Sequence, residues 1–65
     1  MITNELLRDS EAARRLSLAV GTLRNLRSQG RGPRFVRLGR AVRYRPADLD
    51  EWVERGLVTP EEAAR

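Results

Sequence analysis

Ten arginines lie between Ala12 and Arg45: Arg14, Arg15, Arg24, Arg27, Arg31, Arg34, Arg37, Arg40, Arg43 and Arg45. No Asp or Glu interrupts them. A guanidinium is a planar fork of donors that matches phosphate oxygens and the edge of guanine. Ten like charges over so short a stretch repel one another. A polyanion relieves that repulsion and releases its own counterions on binding. The competing readings are a disordered basic segment or a merely solvated face. Apolar residues interleaved through the run argue against disorder, so a nucleic-acid footprint is expected.

The rest of the charge is segregated. Residues 1–11 set Arg8 against Glu5, Asp9 and Glu11. Residues 46–65 set Arg55 and Arg65 against Asp48, Asp50, Glu51, Glu54, Glu61 and Glu62. Over all 65 residues, thirteen basic residues, every one an Arg, and nine acidic ones leave +4. His and Cys are both absent. Their absence removes the commonest general base, the commonest thiol nucleophile and the commonest zinc ligands. A chain this short also encloses a substrate pocket with difficulty. The expectation is therefore no enzyme, no cofactor and no metal. The longest apolar runs are short, as in Leu18-Ala19-Val20, against the about 20 residues a membrane span needs. A cytoplasmic protein without a membrane partner is expected. The length allows one small domain, residues 1–65, that folds on packing alone.

These side chains need elements to hold them. Asp9 or Ser10 can cap a helix that runs to about Leu16, with Glu11 suited to its positive end. Leu6, Leu7, Ala12, Ala13 and Leu16 give it an apolar side. Ser17-Leu18-Ala19 breaks the pattern as a tight turn. A second helix is expected from Val20 to Gln29, closed by Gly30 in the left-handed position past its end. At about 100° per residue, Leu23 and Leu26 share one side of it, while Gly21, Arg24, Asn25 and Ser28 share the other. Arg27 lies on the flank.

Arg31-Gly32-Pro33 is a breaker cluster. Two short strands follow, Phe35 to Leu38 and Val42 to Arg45. A two-residue link would put Val36 on the same face as Arg43. A three-residue link, Gly39-Arg40-Ala41, pairs Leu38 with Val42 and Val36 with Tyr44, and separates apolar from basic side chains almost completely. The second register is expected on that ground. Phe35 is then the misfit, packed against the rim of the core. Pro46 opens a third helix, with Leu49, Trp52 and Val53 as an apolar stripe and Gly56 at its end. Thr59-Pro60-Glu61-Glu62 carries the signals of a further, short C-terminal helix. Tyr44 and Trp52 have the types of base-stacking platforms, but their spacing assigns them to the core. No sizeable surplus apolar stripe is left over, so a monomer is expected off DNA.

Two short helices joined by a tight turn, the second with a small, polar outer face, read as a helix-turn-helix. The basic hairpin after it reads as a wing. The fold class is thus α+β, a small winged helix-turn-helix in the order helix-helix-β-hairpin-helix. Arg24 and Asn25 are the candidates for base contacts, because Arg pairs bidentately with guanine and Asn with adenine. Gly21 lets the helix approach closely, and Ser28 completes that face. Thr22, Arg27, Arg14 and Arg15 are candidates for the DNA backbone, although one of these arginines could instead pair with Glu11 or Glu54. Arg40, at the hairpin tip, suits a narrow minor groove, flanked on phosphates by Arg37, Arg43 and Arg45. The bland alternative for each is a solvated surface. A different class also stays open, a protein-interaction module whose basic surface docks on an acidic partner.

Leu6-Leu7, Glu11-Ala12-Ala13-Arg14-Arg15-Leu16, Thr22-Leu23-Arg24, Gly39 to Arg45 and Asp48-Leu49-Asp50-Glu51-Trp52 together resemble the small excisionase-type winged helix-turn-helix proteins. These are related in fold to the MerR-type DNA-binding domain. The resemblance spans about residues 6 to 55. Its strongest piece is the Gly-Arg wing leading into a tyrosine and then Asp-Leu-x-x-Trp. Members often carry Thr or Ser where Arg8 stands, Gly at Ser17, and Ser or Thr at Ala19. An alanine there cannot cap, at a cost of about 1 kcal/mol. Bound phosphates could satisfy the exposed amides instead. The resemblance implies one of two roles. One is a phage recombination directionality factor that binds and bends attachment-site DNA so that integrase excises. The other is a small phage or plasmid transcriptional regulator. It also implies head-to-tail arrays on DNA. Here the acidic face of Asp48, Glu51, Glu61 and Glu62 would meet a basic face of the next copy.

Overall fold

The computed structural model describes residues 5–60. The elements are α1 (Asp9–Arg15), α2 (Val20–Ser28), β1 (Val36–Leu38), β2 (Ala41–Arg43) and α3 (Pro46–Arg55). This is the expected α+β order of helix, helix, hairpin, helix. The short helix expected after Thr59 lies mostly outside the described residues.

Helix α1 starts one residue earlier than the cap signals suggested. Its N-cap is Arg8, and neither Asp9 nor Ser10 takes that place. The Glu11 carboxylate accepts the Arg8 amide at 2.8 Å, half of a capping box. That one bond lets a residue without a capping side chain open the helix.

Helices α1 and α2 close in the same way. After α1, the Ser17 amide donates to the Arg14 carbonyl and the Leu18 amide to that of Ala13. After α2, the Gly30 amide donates to the Arg27 carbonyl and the Arg31 amide to that of Leu26. Both are Schellman motifs, and both need a left-handed residue. Gly30 takes φ 71° without strain, whereas Ser17 takes φ 59° with a Cβ in place. The Ser17 turn is what swings α2 out of line with α1.

The hairpin takes the register that the separation of apolar from basic residues disfavoured. Val36 pairs with Arg43, Arg37 with Val42 and Leu38 with Ala41. The link is therefore Gly39-Arg40, with Gly39 at φ 61°. Two-residue links that take glycine first match the twist of the strands, and here turn geometry outweighs side-chain sorting. Val36, Leu38, Ala41 and Arg43 share one face, and Leu38 stays half exposed. Phe35, Arg37, Val42 and Tyr44 share the other. Phe35 is thus no misfit: it packs against the core, its ring 6.3 Å from that of Tyr44.

The core is drawn from the three helices, β2 and the residues flanking the hairpin. Ala12, Ala13, Leu23, Tyr44 and Leu49 are fully or almost fully buried. Leu7, Leu16, Val20, Phe35 and Val42 pack around them. Ala12 and Ala13 keep α1 thin where α2 lies against it. Leu7 belongs to no helix. It exchanges two 2.7 Å backbone bonds with Tyr44 and ties the chain before α1 to the end of the hairpin.

The apolar stripe of α3 is buried only in part. Leu49 is in the core, Trp52 is half-buried, and Val53, Leu57 and Val58 are exposed. Trp52 donates its indole N–H to the Arg31 carbonyl at 3.3 Å, which pins α3 to the loop after α2. Apolar side chains thus stay exposed at Val53 on α3 and at Leu57 and Val58 just past its end. No helix among the described residues is long and apolar enough to cross a membrane.

Candidate nucleic-acid interface

The outer side of α2 carries Gly21, Thr22, Arg24, Asn25 and Ser28, all exposed. The opposite side is anchored by Leu23 in the core. Gly21 has no neighbour within 4 Å of where a Cβ would stand, so nothing inside the protein demands a glycine there. A glycine inside a helix costs about 1 kcal/mol relative to alanine. What it provides is a bare stretch of helix facing outward.

Helix α2 begins on Ala19, which offers no side-chain cap. Helix N-termini leave their first amides without intrahelical partners, and these amides suit a phosphate oxygen. No acidic residue lies in the first turn of α2 to compete for that role.

The two arginines of α2 are held in different ways. The Arg24 Nε donates to Asp9 Oδ2 at 2.8 Å, bridging α2 to the start of α1. The Arg24 side chain remains 57% exposed, so its far edge faces solvent. That bond holds the Asp9 carboxyl below the usual carboxylate range and raises Arg24 further. The Arg27 Nη1 donates to the Tyr44 hydroxyl at 2.9 Å. Its guanidinium also lies over the Phe35 ring, 5.8 Å from the centroid. Arg27 therefore joins α2 to the hairpin, a structural task its position on the helix flank did not reveal. The Ser28 hydroxyl donates to the Asn25 carbonyl, while the Thr22 and Asn25 side chains make no hydrogen bond among the described residues.

On the hairpin, Arg40 stands in the turn, exposed and without a hydrogen bond or ion pair among the described residues. Arg37 also lies over the Phe35 ring, 5.7 Å from the centroid. Arg43 donates to the Val42 carbonyl. Arg45 is paired within the chain, yet its side chain stays 53% exposed. Its Nε and Nη2 grip Asp48 at 2.7 and 3.0 Å, and that grip, with Arg34 nearby, holds the buried Asp48 carboxyl below its ordinary range. Asp48 thus cannot belong to an exposed acidic face, which corrects that expectation. Glu61 and Glu62 lie outside the described residues, and Glu51 and Glu54 are exposed.

In α1, Arg15 pairs with Asp50 of α3 at 3.3 Å, rather than with Glu11 or Glu54. Both partners are well exposed, so the pair contributes little to stability. Arg14 is exposed and makes no side-chain bond among the described residues. The sequence reading missed Asp9 as the partner of Arg24. An acid and an arginine 15 residues apart carry no local periodic signal. No group of three carboxylates among the described residues could hold a metal ion.

Two open grooves flank the loop after α2. One, about 590 Å³, runs between Gly30, Arg31, Trp52, Val53 and Arg55. The other, about 420 Å³, lies between Arg27, Arg34, Phe35 and the Arg45–Asp48 pair. Neither contains the exposed face of α2.

No curated protein matches the chain. A family model described as a helix-turn-helix domain matches residues 6–56, which takes in α1, the Ser17 turn, α2, the hairpin and α3. Domains of this kind lay the second helix in the major groove of DNA, and on this match the chain belongs to that helix-turn-helix family.

Proposed function

We propose that the chain is a sequence-specific double-stranded DNA-binding protein of the winged, MerR-like type. The exposed face of α2 would read bases through Arg24 and Asn25, with Gly21 allowing close approach and Ser28 beside them. Thr22, Arg14, Arg15 and the open amides of α2 would meet phosphates, and Arg27 would sit on the edge of that contact. The Gly39-Arg40 tip would enter the minor groove, with Arg37, Arg43 and Arg45 beside the backbone. The observation that carries this reading is the juxtaposition of an outward-facing α2, uncapped and polar, with a hairpin whose tip arginine has no internal partner among the described residues.

The role we assign is that of an excisionase-type recombination directionality factor, acting on attachment-site DNA with an integrase as partner. The motif order, from Leu6-Leu7 to Asp48-Leu49-x-x-Trp52, supports it. The protein would act in the cytoplasm, bending DNA in side-by-side copies. The exposed Glu51 and Glu54 of α3 would face a basic hairpin of the next copy.

Selection of bound duplexes from a random pool tests this. Direct repeats about 10 base pairs apart are expected, since copies would then follow one face of the helix. An inverted repeat or a lone site would favour a transcriptional regulator. An unenriched pool would overturn sequence-specific reading. A steep fall of affinity with salt is expected in all DNA-binding cases. Its absence would favour an acidic protein partner.

A further inference from the structure

We infer that Asp9, which stands on α1 outside the recognition helix, is a specificity-determining residue that orients Arg24 for bidentate recognition of one guanine. The inference rests on the DNA-reading role proposed for α2.

Arg24 has two edges that can donate in pairs, Nε with one terminal nitrogen, and the two terminal nitrogens together. Asp9 Oδ2 takes only Nε, at 2.8 Å. No second Asp9 bond reaches a terminal nitrogen. The edge formed by both terminal nitrogens is left free, and that edge matches the O6 and N7 acceptors of guanine. Arg45 shows the fuller grip. There a buried Asp48 takes both Nε and Nη2, the whole side edge. At Arg24 the single bond to Nε leaves both terminal nitrogens without a partner among the described residues.

Position supports the same role. Asp9 is the first residue of α1 and its side chain is 24% exposed, against 57% for Arg24. The carboxylate is thus the less accessible partner, and the guanidinium the one that solvent or a ligand reaches. A long flexible side chain fixed before binding loses less freedom on contact. The partial neutralisation by Asp9 also weakens undirected attraction of Arg24 to any phosphate. Both effects favour the correct base over random duplex.

The test is a comparison of Asp9→Asn with the wild type on the selected site and on random duplex. Melting is measured alongside. The specificity ratio is expected to fall about tenfold, the scale of one good base contact, while random duplex binds as tightly or more so. Arg24→Ala in the Asp9→Asn background should add no further loss at that base pair. An unchanged ratio would overturn the inference and leave the DNA-binding reading standing. A wild type without sequence preference would overturn both. Should Asp9→Asn fail to fold, Asp9→Glu keeps the charge, displaces the carboxylate by one methylene, and carries the same expectation.

Discussion

Helix α2 and the hairpin both present arginines, and they hold them in contrasting ways. On α2, Arg24 is tied to Asp9 and Arg27 to Tyr44 and Phe35. On the hairpin, Arg37 rests on a ring, Arg43 bonds a carbonyl of its own strand, and Arg40 has no partner among the described residues. A base edge is a fixed target, and reading it demands a side chain held in register with the helix. A phosphate or a narrow groove attracts charge from many directions. On the function proposed above, the difference divides one residue type between recognition and adhesion by the partner that holds each guanidinium.

The largest effect that could break this contrast is loss of the core beneath it. Leu23→Ala or Leu49→Ala should destabilise by about 2–5 kcal/mol. That is a large share of what a domain of this size has. Urea unfolding followed by circular dichroism would read it. If either variant kept wild-type stability, α2 and α3 would not share the core described.

Next comes Arg24→Ala, expected to cost about 1–3 kcal/mol on the preferred site and little on random duplex. Equal losses on both would erase the distinction between helix and hairpin. Arg40→Ala should do the opposite. It is expected to weaken all duplexes alike and flatten the slope of log affinity against log salt by about 1. A sequence-selective loss would move base reading onto the wing.

Smaller effects sharpen the scaffold. Ser17→Gly relieves a left-handed serine and should stabilise the fold by about 0.5–1 kcal/mol. Ala19→Ser supplies the missing cap of α2 and should add about 1 kcal/mol. Both are read as raised urea midpoints, and a lowered midpoint for Ser17→Gly would contradict the turn geometry.

Acid dependence follows from the two held carboxylates. Asp9 and Asp48 both titrate lower in the folded chain than in the unfolded one. Their contributions are therefore complete above the unfolded value and are lost as pH falls through the folded one, in the range below about 4. Asp48→Asn should weaken the fold at neutral pH and flatten its loss on acidification. Unchanged acid sensitivity would mean that the grip of Arg45 on Asp48 is not kept in solution.

Much of this was legible in the residues. Helix α2, its polar outer face and its Gly30 stop follow from local rules, and so does the unsatisfied Ala19 cap. Hairpin existence was legible, but its register was not. Sorting apolar from basic residues favoured three link residues, while the φ that Gly39 takes belongs to a two-residue turn. The half-exposed Leu38 is the cost of that choice. The Leu7–Tyr44 bridge was hidden because a single paired residue leaves no alternation to detect. The Asp9–Arg24 and Arg45–Asp48 pairs were both missed. Three residues apart at a helix start is a pattern that charge segregation masked, since it placed Asp48 on an exposed acidic face, whereas contact between two helices 15 residues apart depends on how the Ser17 turn sets them.

The central claim is that α2 reads sequence while the hairpin holds the backbone. Parallel selection from a random duplex pool, with wild type and Arg24→Ala, tests it most directly. The wild type should enrich one motif, and Arg24→Ala should enrich the same motif with a single base pair relaxed. An identical motif from both proteins, or none from the wild type, would contradict the account.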